Sequence, residues 1–347
     1  MRRTSIDVWQ ALPQPFLASE ARAAGCSFDQ LRGACERDEL TKVAPCLYAV
    51  TEGWDSLTHA DTHRALCRAA AASLTDVVLS HLSAAVLFGL PHPVGPLGKV
   101  SLTALKSTRT SYPDDWRRVL QAETPADHVT ERAGLPVTRG ARTVIDCFRQ
   151  LRLLDSLAIA DAAVRNGLAC PHELRAMRNF QTRWPGVQRA ERGLPLVDGR
   201  RESWLESASV AVAHELGYPR PASQVSIHRL DGSFVGRVDF LWLELGVVGE
   251  ADGMGKYLGD FDAEPSAAAT GQRVLLERDR ERGLEALGFA VARWGAVDLR
   301  GTGDGLARHL AEARRRARPQ RISCLWRQDP GEPLQEWKWP PPPPTVR

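Results

Sequence analysis

The chain has 347 residues, of which 43% are hydrophobic and 25% charged, and its 45 basic and 42 acidic side chains leave a net charge of +3. That apolar content excludes wholesale disorder, and the near balance of charge excludes a polybasic coat for nucleic acid. The most apolar stretch, Ala69 to Leu90, carries Asp76 and His81 and reads as packed helix rather than a bilayer span, so no membrane partner is expected. Met1 to Asp7 lack the apolar core of a secretory signal, which leads to the expectation of a cytoplasmic protein. Seven cysteines without a CxxC pair read as small hydrophobes in a reducing compartment.

Breaks in composition predict four pieces: 1–52, 53–190, 191–305 and a basic, proline-rich tail over 306–347. In the first piece, Phe16 to Ala24 reads as helix closed by Gly25. Ser27 then caps a second helix, with Phe28, Leu31 and Cys35 on one face. The β-rich run Leu40 to Val50, broken by Pro45, completes a helix, turn, helix and wing. This is the layout of a winged helix-turn-helix, whose second helix and wing would offer Gln30, Arg32, Arg37 and Lys42 to double-stranded DNA. Asp29 and Glu36 on the same helix repel phosphate and leave open a docking module that never touches DNA.

The middle piece reads as α+β: helix over about Asp61 to Ser73, strands near Lys99–Leu105, His128–Glu131 and Leu135–Val137, then helices to about Met177. His59, His63 and Cys67 share a helical face at zinc-ligand spacing, with no fourth ligand in view, and a helix surface merely containing them is the better reading. His81 reads as a packed structural histidine.

The third piece has the order α-β-β-β-α-β. A helix opens at Arg201 and carries Glu206, a hairpin over Gln224–Trp242 carries Asp239, and the next strand ends in Glu250 and Asp252. Asp239 interrupts an apolar run, where a charge is tolerated if it is hydrogen-bonded or holds a cation. Asp239, Glu250 and Asp252, with Glu206 nearby, have the hard oxygens that select Mg²⁺ or Mn²⁺, and Lys256 stands where it would meet charge developing on a phosphate. Pairing of the strand-end carboxylates with Arg237, Arg278 or Arg280 is the alternative.

From Arg308 onward nine basic residues face four acidic ones, and the run Arg314–Arg321 reads equally as a solvated helix end or a phosphate-contacting patch. Trp337 to Pro344 reads as a polyproline-like tail.

Ser203-Trp204-Leu205-Glu206-Ser207, Val238-Asp239-Phe240, Glu250-Ala251-Asp252-Gly253 and Lys256-Tyr257 together resemble the PD-(D/E)XK nuclease superfamily in its very-short-patch-repair-like branch. Joined to Gly25–Val50, to Leu79–Ala85 with Gly89-Leu90, and to Leu135–Asp146, they resemble the AbiEi-type antitoxins of the actinobacterial type IV toxin–antitoxin class. The nuclease likeness implies a restriction-endonuclease-like fold in which Asp239 and Glu250 bind metal and activate water, with Glu206 as the helix carboxylate. Asp252 stands where that superfamily has a lysine, and Lys256 is the nearest substitute. The antitoxin likeness implies a regulator that binds its own promoter or counteracts a nucleotidyltransferase-like toxin. The expected whole is an α/β multidomain protein with a winged helix-turn-helix, an α+β middle and the nuclease-like domain.

Overall fold

Helices and three sheets make up the described residues, 5–106, 115–252, 267–329 and 331–339, of a computed structural model. The chain divides into two units, one of Met1–Gln150 with Leu168–Val187, the other of Leu151–Gly167 with Gln188–Arg347.

The first unit begins with α1 (Ser5–Gln10), β1 (Phe16–Leu17), α2 (Ala18–Ala23), α3 (Phe28–Glu36), β2 (Leu40–Ala44) and β3 (Leu47–Val50). α2 gives way at Gly25, whose φ of +86° suits a residue without a side chain. α3 starts on a reciprocal cap: Ser27 Oγ accepts from the Gln30 amide at 3.2 Å, and the Ser27 amide donates to Gln30 Oε1 at 2.7 Å. The buried stripe of α3 is Leu31 and Ala34, whereas Phe28, expected on that stripe, is 61% exposed. The strands form an antiparallel sheet ordered β1-β3-β2, closed by the two-residue turn Pro45-Cys46.

Next come α4 (Thr51–Trp54), α5 (His59–Ser73), β4 (Val77–Leu79), α6 (His81–Leu87), β5 (Val100–Ala104), β6 (Arg117–Gln121), β7 (Val129–Arg132), β8 (Leu135–Thr138) and α7 (Gly140–Gln150). After α8 (Leu153–Arg165), which belongs to the second unit, α9 (Pro171–Phe180) returns to the first. The sheet runs β6-β5-β4-β8-β7. Its core includes Cys67, Ala70, Leu79, Leu102 and Val137, and also Ala44 and Leu47 from the first hairpin. Arg68 on α5 also reaches back to donate to the Pro13 carbonyl at 3.2 Å. The expected boundary after residue 52 therefore falls inside one packed unit. The wholly buried Arg142 on α7 is held by Asp146 at 2.8 Å and lies 4.6 Å from the Trp184 ring centre, so its charge and its flat face are both used.

The second unit adds α10 (Val187–Gly193), α11 (Trp204–Glu215), β9 (Ala222–His228), β10 (Phe234–Trp242), β11 (Val247–Ala251), α12 (Ala267–Ala286), β12 (Ala290–Trp294), α13 (Asp304–Arg316), β13 (Ser323–Gln328) and β14 (Gln335–Lys338). Its sheet runs β12-β11-β10-β9-β13-β14. β9, β10 and β11 are an antiparallel meander, and β12 returns parallel to β11 through α12. Gly249 permits the stacking beneath the sheet, since a Cβ there would lie 2.5 Å from Trp294 and 2.9 Å from Trp242. The expected tail is a correction: α13, β13 and β14 occupy 304–338, with β13 antiparallel to β9 and Cys324 in the core. Pro340 to Pro344 lie outside the described residues. Among the described residues no helix is long and apolar enough to cross a membrane.

Two buried histidines tie the first unit to pH. His63 Nε2 meets Ser83 Oγ at 2.9 Å, Cys67 is buried beside them, and His59 is exposed, so the helical triad points in different directions. His81 is 4% exposed, its Nδ1 2.9 Å from Ser80 Oγ. Burial lowers the His63 pKa to about 4, aided by His92. Burial lowers His81 to about 4 as well, and Asp146 opposes this while Arg118, Arg149 and Arg142 reinforce it. The unfolded chain binds these protons more readily, so the stabilisation is complete above the ordinary value near 6.5 and is lost as pH falls toward 4. Urea unfolding at pH 5 should show a loss of about 2 kcal/mol per ring relative to pH 7, and the loss should shrink by that amount in His63→Gln and in His81→Asn.

Candidate functional site

β10 and β11 pair with Phe240 opposite Gly249, so Asp239 and Glu250 stand one step beyond on adjacent strands. Asp239 Oδ2 accepts the Ala251 amide at 2.9 Å. Glu250 is 7% exposed, and a buried carboxylate needs compensation. The parallel register supplies it by setting Glu250 beside Arg293 of β12, whose Nε donates to Glu250 Oε2 at 3.0 Å. Arg280 Nη2, from α12, lies 2.5 Å from Glu250 Oε1. Glu277 bridges the two cations, accepting from Arg280 Nη2 at 2.6 Å and from Arg293 Nη2, and Glu281 lies 3.5 Å from Arg293. Burial works against the Arg280 charge, but the hydrogen bond to Glu277 and the charge of Glu250 outweigh it and hold its pKa above the ordinary value. The same balance, led by Glu250, raises Arg293.

Glu206 sits in the first turn of α11 and is used there. Its Oε1 accepts from Ser203 Oγ at 2.9 Å, and its Oε2 accepts from the Glu202 amide at 2.9 Å and Gln224 Nε2 at 2.7 Å. Asp252 is exposed, and its amide donates to the Trp294 carbonyl at 2.9 Å. Lys256, with Gly253 and Tyr257, lies outside the described residues.

A hard divalent cation takes several oxygens with lone pairs to spare. Here Glu250 spends both oxygens on guanidinium groups and Glu206 spends both on the helix cap and Gln224. Among the described residues no group of three His, Cys, Asp or Glu is placed to hold a metal. In this arrangement Asp239 accepts a backbone amide, Glu250 lies between two guanidinium groups, and Asp252 is exposed at the strand end. Of the expected counter-ions, Arg280 is present, whereas Arg237 pairs with Glu202 at 2.5 Å. The sequence reading missed Arg293. Its signal was a lone charge inside the apolar run Phe289–Trp294, the mirror of Glu250 in its own strand.

The other candidate surface is α3 with β2. Gln30, Arg32, Arg37 and Lys42 are all exposed. Gln30 lends its carbonyl oxygen to the cap, leaving its amide NH₂ outward. Arg32 pairs with Asp29 at 2.9 Å and lies 3.9 Å from Glu36, and Arg37 pairs with Glu39 at 2.9 Å. Exposed pairs of this kind are worth less than about 1 kcal/mol and yield to a competing phosphate.

Replacing Glu250 with Ala strips two partly buried guanidinium groups of their shared acceptor and should cost about 2 kcal/mol in urea unfolding. Asp252→Ala, at an exposed position, should stay within about 0.5 kcal/mol of the parent.

No family model matches the chain. Over 186 residues it is 30% identical to two Mycobacterium tuberculosis proteins, uncharacterized protein MT2308 of strain CDC 1551 / Oshkosh and uncharacterized protein Rv2248 of strain ATCC 25618 / H37Rv. The similarity takes in 54% of this chain and 64% of each relative, so the chain spans less than two thirds of the proteins it matches.

Proposed function

We propose that this protein is a DNA-associated regulator of the antitoxin type, with a winged helix-turn-helix at its start and a nuclease-like second unit that does not cleave. One observation carries the reading: α2 and α3, joined by a tight turn, are followed by an antiparallel hairpin in a sheet ordered β1-β3-β2, with the polar face of α3 exposed. In this arrangement Gln30 presents its amide to a base edge while Arg32, Arg37 and Lys42 meet backbone phosphates. The succession α11-β9-β10-β11-α12-β12 supports the nuclease-like assignment, and the double arginine clamp on Glu250 supports the absence of cleavage. A nucleotidyltransferase-like toxin is the protein partner this reading implies.

Three phosphate contacts give a modest salt dependence. Fluorescence anisotropy of the full chain with duplex DNA from its own upstream region should give a slope of about −3 in log affinity against log salt. Arg32→Ala or Lys42→Ala should each reduce that slope by about 1. Absence of saturable binding, or binding indifferent to both substitutions, would overturn the proposal. The same duplex should stay intact with Mg²⁺ or Mn²⁺. Nicking that disappears in Asp239→Ala and in Glu250→Ala would replace the regulator with a metal-dependent endonuclease.

A further inference from the structure

Several arginines of the second unit are paired with carboxylates: Arg201 with Asp161, Arg237 with Glu202, Arg280 and Arg293 with Glu250, Arg327 with Asp329. The end of α13 and the turn after it differ. Among the described residues, Arg314, Arg315, Arg316, Arg318 and Arg321 have no carboxylate within ion-pairing distance, and all five are exposed. Successive residues of a helix point about 100° apart, so these cations do not form one strip along a duplex.

Three of them meet at a cavity. Arg316, Arg318 and Arg321 line a hollow of about 300 Å³, together with Glu285 and Ala286 of α12 and Gly288, Phe289 and Ala290 leading into β12. Its frame is fixed. The Arg318 amide donates to the Gly288 carbonyl at 2.9 Å, and Arg316 Nη2 donates to the Val291 carbonyl at 2.9 Å. Gly288, at φ +98°, is required there, because a Cβ would lie 2.9 Å from the Arg318 carbonyl oxygen. The volume is at the lower end of small-molecule pockets, about 300–1,000 Å³. Three arginines against one glutamate leave a local charge of +2, the complement of a phosphate monoester carrying about −1.5 to −2 at neutral pH. Guanidinium groups also match phosphate oxygens in geometry.

We propose that this pocket binds the phosphate group of a small phosphorylated molecule, a nucleotide-sized monoester or free inorganic phosphate. The site shares no residue with α3 or with the carboxylates of β10 and β11, and it does not depend on the regulator reading.

The test is calorimetric titration of the full chain at low salt with adenosine monophosphate, ribose 5-phosphate, inorganic phosphate and, as the uncharged control, adenosine. Saturable binding of a monoester or of inorganic phosphate, with none of adenosine, is the expected result. Monoesters binding more tightly than inorganic phosphate assign the site to an organic ligand, and equal binding assigns it to the free ion. Arg318→Glu/Arg321→Glu should weaken binding at least tenfold, while Arg300→Glu, an exposed change of equal charge away from the cavity, should alter it less than twofold. Should circular dichroism show the reversed pair unfolded, Arg318→Gln/Arg321→Gln takes its place, with at least a fivefold loss expected. Three results would overturn the proposal: no saturable heat up to millimolar ligand, equal weakening by Arg300→Glu, or monoester binding left intact by a folded Arg318→Glu/Arg321→Glu.

Discussion

Glu250 sits between two arginines in a place from which water is almost wholly excluded, and the architecture around it follows from that need. A buried carboxylate in an inner strand of a sheet is tolerable only if cations are delivered to it. β12 must lie parallel to β11 in the register that sets Arg293 alongside, and parallel strands need a long crossover. That crossover is α12, which brings Arg280, Glu277 and Glu281 to the same point. Three acids and two bases alternate, each guanidinium shared between carboxylates. The clamp balances the charge of Glu250.

The same economy appears elsewhere. Arg142 and Arg201 are fully buried, and each is matched to one aspartate, Asp146 and Asp161, within 2.8 Å. Arginine keeps its charge at any ordinary pH; the first pair lies within α7, and the second ties the segment ahead of α11 to α8. The arginines at the end of α13 and in the turn after it lack such a carboxylate partner among the described residues.

Much of the order of elements was legible in the sequence because it is written locally. The Ser27 cap, the Gly25 stop, the hairpin over Gln224–Trp242 and the apolar run of β10 each depend on neighbours a few residues away. Asp239 and Glu250 were legible as charges out of place. What stayed hidden depends on distant partners. Phe28 has helical spacing for burial, but the core contact falls to Ala34 instead. The first hairpin shares a core with α5, which no linker composition announces. Residues 323–338 look like a tail because their strands are short and lie next to the proline run, yet β13 finds its partner in β9, about a hundred residues earlier. Arg293 became meaningful only once the pairing of β11 and β12 was known.

The hairpin of β13 and β14 also has a protective consequence. β9 would otherwise border the sheet with a seven-residue row of unsatisfied amides and carbonyls, a template for pairing with other chains. Instead the exposed border is β14, four residues long and carrying Glu336 and Lys338, a poor seed for intermolecular growth. The β13–β14 hairpin thus acts as a hem, and a chain shortened ahead of it would trade a finished margin for an adhesive one.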